Sequence, residues 1–251
     1  MKREMEPYQL IERSIIKKYR KELWTPFIVA VKRYELVQAG DRIAVCISGG
    51  KDSMLMAKLM QELQRHSDVP FELVFLVMDP GYNEINRQKI ESNAALLHIP
   101  VTIFESNIFA VANNTDKNPC YLCARMRRGH LYSKAKELGC NKLALGHHKD
   151  DAVETFIMNL FDQGRIGCFS PVSYLSRKDL TVIRPLILAE EKEVKQAVRR
   201  ENFPIIKSRC PVDGHTEREW AKQWVREMEH QKRDIKSQIF GAMRRAHISD
   251  W

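Results

Sequence analysis

Short apolar runs alternate with stretches of helical periodicity through the middle of the chain. The run from Arg42 to Ile47 is rich in β-branched residues and lacks polar alternation, which is typical of a strand buried on both faces. Strands that alternate with helices predict a doubly wound, mostly parallel α/β sheet. The predicted strands are 42–47, 71–78, 101–104 and 142–145, and the predicted helices follow the loop at 48–53 and span 83–97, 121–138 and 150–161.

Helical periodicity without strands marks both ends of the chain. Residues 8–38 read as two helices separated near Pro26, and the apolar stripe that begins at Trp220 predicts helices at the other end. We therefore expect a helical extension at 1–38, an α/β domain at 39–210 and a second helical extension at 211–251. The three parts are expected to form one compact unit.

Composition narrows the class of protein. With 251 residues, 44% hydrophobic and 29% charged, the chain is typical of a water-soluble globular protein. It has no apolar run of the ~20 residues that a membrane span needs, and its start lacks the pattern of a signal peptide, so a cytoplasmic location without membrane association is expected. The net charge of +9 favours a polyanionic partner such as nucleic acid.

The loop between the first strand and its helix has the residues of a phosphate site. In Ser48-Gly49-Gly50-Lys51-Asp52-Ser53, two glycines permit a sharp turn and leave backbone N–H groups pointing at one space beside a helix amino terminus. A common nucleotide loop has Ser or Thr after its lysine, whereas Lys51 is followed by Asp52. Since a carboxylate beside phosphate needs a cation between them, the sequence predicts Mg²⁺.

Two further loops, at residues 79–82 and 146–151, also follow strands. We expect them to meet the loop at 48–53 at the carboxyl edge of the sheet. The second is unusually polar, and its Gly146, His147, His148, Asp150 and Asp151 predict contacts with a nucleotide or a metal. The spacing of the histidines does not specify zinc. Glu154, further along the helix, is interpreted as a carboxylate that complements the helix dipole.

Cysteine usage indicates metal or thiol chemistry. Cys120 and Cys123 form a single Cys-x-x-Cys pair, for which a redox disulfide, half of a zinc site and iron–sulfur ligation are the competing interpretations. The chain offers one distant candidate, Cys210, which a proline follows as in cluster-binding sequences. Three cysteines on a [4Fe–4S] cluster would leave one iron open for chemistry. The other cysteines are expected to be structural: Cys46, Cys140 and Cys168.

Three arginines lie within a few residues of the cysteine pair. Arg125, Arg127 and Arg128 would stabilise thiolate anions and could also hold nucleic-acid phosphates. A solvated helix face is the alternative interpretation, although it explains the use of arginine rather than lysine poorly.

These motifs resemble the PP-loop ATP pyrophosphatases, which have an adenine nucleotide α-hydrolase-like fold, and within them the tRNA 2-thiocytidine synthetases. The resemblance implies an enzyme that adenylates the C2 oxygen of a tRNA cytidine, at position 32 of the anticodon loop, and replaces it by sulfur. It implies ATP, Mg²⁺ and a three-cysteine [4Fe–4S] cluster as cofactors. The matching stretches are 48–53, 120–129, 146–151, 184–186, 203–206 and 240–243.

The resemblance also assigns roles. Residues 48–53 would bind ATP together with Gly146, His147, Asp150 and Asp151. Asp52 would hold Mg²⁺, and the cluster would be held by Cys120, Cys123 and Cys210. Family members often carry a second Cys-x-x-Cys pair where this chain has Cys210 alone. The expected partners are tRNA, a sulfur donor such as a cysteine desulfurase, and a second copy of the chain.

Two other functions remain open at this point. One is a PP-loop enzyme of the 2-thiouridine or lysidine type with a structural zinc site. The other is a basic RNA-binding module that keeps ATP without catalysis.

Overall fold

A six-stranded sheet with helices on both faces forms the centre of the computed structural model, which describes residues 5–81, 84–106, 108, 119–206 and 217–251, without the side chains of 119 and 120. The strand order is β3-β2-β1-β4-β6-β5, and all neighbours are parallel except β5 and β6. The strands are β1 Arg42–Ile47, β2 Glu72–Asp79, β3 Val101–Glu105, β4 Lys142–Ala144, β5 Val172–Leu175 and β6 Leu180–Ile183.

The helices cover the two faces of the sheet and both ends of the described chain. A π-helical turn at Arg20–Trp24 joins the first two. No helix in the described ranges is long and apolar enough to cross a bilayer. The helices are α1 Pro7–Lys17, α2 Thr25–Arg33, α3 Lys51–His66, α4 Glu84–Leu96, α5 Pro119–Glu137, α6 Lys149–Asp162, α7 Glu191–Arg200, α8 Glu217–Gln231 and α9 Ile235–Arg245.

The predicted α/β architecture is confirmed, with the first strand at its predicted bounds. Pro26 lies in the first turn of α2, where its missing N–H removes no helical hydrogen bond, and the break before it is the π-helical turn. The antiparallel hairpin β5–β6 and helix α7 were not predicted. Strands of four residues leave too short a pattern to recognise.

The topology brings several loops to one edge of the sheet. Because β1, β4 and β6 are parallel neighbours, the segments that follow them leave from the same side. The chain moves from β1 outward to β2 and β3, and then returns to place β4 on the other side of β1. This reversal of strand order opens a crevice at the carboxyl ends of β1 and β4, the usual ligand position in open α/β sheets.

Two hydrophobic clusters fix the sheet and its helices. Alternate side chains of β1 face opposite ways, so that Val45 joins the larger cluster and Ala44 the smaller one. The larger cluster also contains Phe27 of α2 and Met243 of α9, so both terminal helical regions pack on the core. The smaller cluster lies under α5 and includes Ala135.

Candidate nucleotide-binding site

The loop after β1 has a conformation that requires glycine. Gly49 has a φ of +79°, and a Cβ atom there would lie 2.7 Å from Cγ1 of Ile206. Gly50 caps α3, whose first turn then points its backbone N–H groups towards the crevice. Ser53 closes the loop, because its hydroxyl accepts from the backbone of Ser48 at 3.1 Å and donates to the carbonyl of Gly50 at 3.0 Å.

Lys51 and Asp52 form a charged pair at the start of α3. The Lys51 Nζ lies 2.7 Å from Oδ2 of Asp52 and 3.2 Å from Oε1 of Glu191. Burial lowers the pKa of Lys51, but the two carboxylates outweigh burial and raise the pKa above its ordinary value. The ammonium group therefore stays charged. The other oxygen of Asp52, Oδ1, is buried, and no residue that the structure describes forms a hydrogen bond with it. Nε2 of His148 lies 3.8 Å away.

The loop after β4 lies directly on this helix start. A Cβ atom on Gly146 would be 3.4 Å from the backbone of Asp52 and Ser53, so the two predicted nucleotide motifs meet at this glycine. His147 follows, with its ring 5.0 Å from that of Phe169 and its Nδ1 buried without a hydrogen-bond partner. Burial lowers its pKa to about 4, which keeps the imidazole neutral at physiological pH.

His148 and Asp151 organise the start of α6 by a reciprocal cap. The backbone N–H of His148 donates to Oδ2 of Asp151 at 2.8 Å, and Nδ1 of His148 accepts from the backbone of Asp151 at 3.3 Å. The other oxygen of Asp151 accepts from Arg218 at 2.9 Å. Both oxygens of this predicted nucleotide ligand therefore already have protein partners.

Both carboxylate oxygens of Asp150 also have partners within the protein. Its Oδ2 accepts from the backbone N–H of Glu191 at 2.7 Å, at the first residue of α7, and its Oδ1 lies 2.7 Å from Nζ of Lys236 in α9. Asp150 thus joins three helices behind the crevice. Direct binding of ATP by Asp150 or Asp151 stays a prediction.

Glu191 is a central residue that the sequence patterns missed. It lies 3.2 Å from Lys51, 3.1 Å from Lys222 and 2.8 Å from Lys195. Burial acts to raise its pKa, but these three cations outweigh burial and hold the pKa well below its ordinary value. In the sequence it is one of two adjacent glutamates before a charged helix, which indicates only a helix start.

Glu154 is buried on α6, beyond the first turn where a helix dipole acts most strongly. Burial and the nearby charge of Asp151 raise its pKa to about 7. Interpreting it as a carboxylate that complements the dipole does not account for its burial or for this shift.

The predicted cysteine site is only partly described. Cys123 lies on α5, is partly buried and has a free thiol. The side chain of Cys120 and all of Cys210 lie outside the described residues. No group of three or more potential metal ligands occurs in the parts of the chain that are described. Among the expected structural cysteines, Cys168 donates its thiol to the carbonyl of Ala152 at 3.3 Å, and burial raises its pKa to about 12.

The three predicted RNA-binding arginines share α5 with Cys123. Arg125 and Arg128 are exposed and Arg127 is partly buried. Arg128 lies near enough to Tyr132 for its charge to act on the phenol. The structure therefore presents positive charge on the helix that carries the cysteine pair.

Comparison with known proteins identifies the family. The PP-loop domain model matches residues 17–228. A tRNA-cytidine(32) 2-sulfurtransferase of Pelobacter propionicus is 36% identical, over 87% of this chain and 83% of that protein. One of Geobacter sulfurreducens is also 36% identical, over 85% of each. In fold, the U34-tRNA thiolase NcsA of Methanococcus maripaludis, solved with its [4Fe–4S] cluster, matches with a TM-score of 0.73 at 22% identity, over 88% of this chain and 77% of that one.

Proposed function

This chain belongs to the PP-loop family and, within it, to the sulfurtransferases, and from that premise we propose that it replaces the C2 oxygen of a tRNA cytidine, at position 32, by sulfur in an ATP-dependent reaction. The observation that carries the proposal is the contact of Gly146 with the backbone of Asp52 and Ser53. It joins the two nucleotide motifs in one crevice at the carboxyl edge of the sheet.

The residues at this crevice fit a nucleoside triphosphate. The α3 amino terminus and the glycine loop offer backbone donors to phosphate oxygens, and the partly buried ammonium of Lys51 supplies positive charge. Two buried polar atoms, Oδ1 of Asp52 and Nδ1 of His147, have no hydrogen-bond partner among the described residues. We assign Asp52 to Mg²⁺, since a carboxylate next to phosphate is otherwise repelled.

ATP supplies an adenylyl group, which converts the C2 oxygen of the base into a leaving group. The protein's contribution is to hold the α-phosphate against that oxygen and to keep competing water out of the crevice. Neutral His147 offers a hydrogen bond without adding charge, and Lys51 offsets the charge that develops on pyrophosphate. A cation held by Asp52 would supply further positive charge there.

For the sulfur step we assign Cys120, Cys123 and Cys210 to a [4Fe–4S] cluster. Three thiolates suit such a cluster and leave one iron open to bind sulfur. The backbone N–H of Ile206 donates to the carbonyl of Gly49 at 2.9 Å, and Cys210 follows Ile206 by four residues. Four residues of chain span at most about 14 Å, which supports Cys210 as the third ligand.

The partner that supplies the base is proposed to be tRNA. The net charge of +9 and the arginines at 125, 127 and 128 favour a polyanion near the cysteines. The sulfur would come from a donor such as a cysteine desulfurase.

The test is reconstitution with defined tRNA. Protein purified without oxygen should contain iron and acid-labile sulfide, and with ATP, Mg²⁺ and a sulfur source it should produce 2-thiocytidine that mass spectrometry maps to position 32. Cys120→Ala and Cys210→Ala should lose both the cluster and the product. Cys140→Ala, which removes a buried cysteine near Arg42 on the opposite edge of the sheet, is the matched control and should retain both. One zinc per chain without sulfide, or a thiolated product from Cys120→Ala, would contradict the proposal.

A further inference from the structure

Arg184 is a buried cation at the ligand edge of the sheet. It follows the last residue of β6, and only 9% of its surface is exposed. Its Nη1 donates to the carbonyl of Ser170 and lies 3.3 Å from Oγ of Ser173. Its Nε is buried and has no hydrogen-bond partner in the described parts of the chain. Burial lowers its pKa to about 10, so the guanidinium is still charged at neutral pH.

No carboxylate of the described residues forms an ion pair with Arg184, which separates it from the other deeply buried cations. Lys58 lies 2.6 Å from Glu12, and Lys142 lies 2.7 Å from Asp41. Buried charges are normally paired in this way, because an unpaired charge loses its hydration without compensation. The ligand edge of the sheet therefore has a buried positive charge that no carboxylate in the described part of the protein neutralises.

The position of Arg184 connects it to the nucleotide loops. Its guanidinium carbon lies 4.8 Å from the ring centre of Phe169, and the same ring lies 5.0 Å from that of His147. The charge of Arg184 also acts on His147 and on Tyr132 of α5. Arg184 therefore lies between the loop after β4 and the helix that carries the predicted cluster ligands and RNA-binding arginines.

From this geometry we infer that Arg184 and His147 form a binding site for a phosphate-ester oxygen, a role that depends on the proposed function. A guanidinium donates two parallel hydrogen bonds to phosphate, and the unpartnered Nδ1 of His147 adds a third polar contact. The phosphate belongs either to ATP or to the tRNA backbone next to the target base. If the role of Arg184 is only structural, its contacts with Ser170, Ser173 and Phe169 brace the segment before β5.

Equilibrium binding by the full-length protein distinguishes these cases. ATP without tRNA and tRNA without ATP are titrated separately into the wild type, Arg184→Gln and Arg184→Lys. Loss of a hydrogen bond to a charged group predicts that Arg184→Gln weakens one ligand by roughly 10- to 100-fold. Weaker ATP binding identifies the nucleotide phosphate, and weaker tRNA binding alone identifies the RNA phosphate. Arg184→Lys keeps the positive charge but not the two parallel N–H donors of the guanidinium, so a smaller loss of affinity is expected.

The matched control is Arg42→Gln, which removes an arginine at the opposite edge of the sheet, at the start of β1, where it pairs with Glu72. It should bind both ligands like the wild type. A folded Arg184→Gln protein that keeps both affinities within twofold of the wild type overturns the inference.

An NMR measurement on the wild type covers the case in which Arg184→Gln does not fold. The Nε–H resonance of Arg184 should shift when ATP or tRNA is added, and no shift with either saturating ligand also overturns the inference. If the wild type binds neither ligand, the proposed function fails as well. If it binds both and thiolates tRNA while Arg184 does not respond, only the phosphate site is wrong.

Discussion

The guanidinium of Arg218 lies 2.9 Å from Oδ1 of Asp151, so a helix near the carboxyl-terminal end of the chain contacts the nucleotide loop after β4. A second connection runs in parallel: Lys222, one turn further along α8, contacts Glu191, which contacts Lys51. Helix α8 therefore contacts the loop after β4 through Asp151, and it connects to Lys51 at the start of α3 through Glu191. The helix is part of the architecture that positions the site.

Replacing Arg218 by methionine should weaken ATP binding by a few-fold, since Asp151 loses the partner that orients it. The loss of stability should be small, about 1 kcal/mol or less, because the arginine is 44% exposed and its ion pair is screened by solvent. Calorimetric titration with ATP and chemical denaturation measure the two effects. Arg226→Met, an exposed arginine on the same helix, serves as the control. Equal ATP affinities in the two variants would show that the contact with Asp151 does not position the loop.

Gly49→Ala should damage both the fold and the site. The left-handed φ and the 2.7 Å approach to Ile206 predict a loss of roughly 1–3 kcal/mol in the free energy of unfolding. ATP binding should fall with it, because the loop must open to relieve the contact. Gly129→Ala is the matched control, since a Cβ there meets nothing within 4 Å in the middle of α5 and should stabilise the helix slightly. A Gly49→Ala protein as stable as wild type would refute the loop conformation.

Glu154 should make the protein less stable as the pH rises. Its pKa is raised to about 7, so between pH 4.5 and 7 the folded state holds a proton that the unfolded state has released. The associated stability is present below pH 4.5 and is lost as the pH rises through 7, by up to about 3 kcal/mol for such a shift. Glu154→Gln carries no titrating group, so its stability relative to wild type should increase between pH 5 and pH 8. Denaturant unfolding at both pH values measures this, and a constant difference would exclude the shift.

His147 should titrate with a pKa near 4 because burial disfavours its charged form and Arg184, Arg218 and His148 oppose it further, while Asp151 favours it. The unfolded state binds a proton near pH 6.5, so this contribution to stability is present above pH 6.5 and is lost as the pH falls towards 4. NMR titration of the imidazole gives the pKa directly. Arg184→Gln should raise it, whereas Arg42→Gln should leave it unchanged. An ordinary value in the wild type would contradict the buried position of the ring.

The central strands and the two nucleotide motifs were predictable because each is local in sequence. A strand buried on both faces must be continuously apolar, which is why Arg42–Ile47 was located at its observed bounds. The parallel order then required the loops at 48–53 and 146–151 to share an edge, and Gly146 shows that they do. Their assigned contacts with ATP and metal still depend on experiment.

The residues that support the site were not predictable in this way. Glu191, Arg218 and Lys222 act through partners distant in sequence, and each alone has the appearance of a charge on a solvated helix. Arg184 was noticed as part of a motif, but its burial without a carboxylate partner among the described residues is a property of the packed structure. Such pairings arise from packing between elements and leave no periodicity to detect.

The backbone hydrogen bond from Ile206 to Gly49 limits which changes of sequence this protein can accept. It aligns residues 203–206 with the glycine turn after β1, so adding or deleting a residue in either segment would break that alignment. Substitutions that preserve length and leave Gly49 in place keep this alignment, whereas a chimaera that imports the glycine turn from another scaffold must bring residues 203–206 along with it.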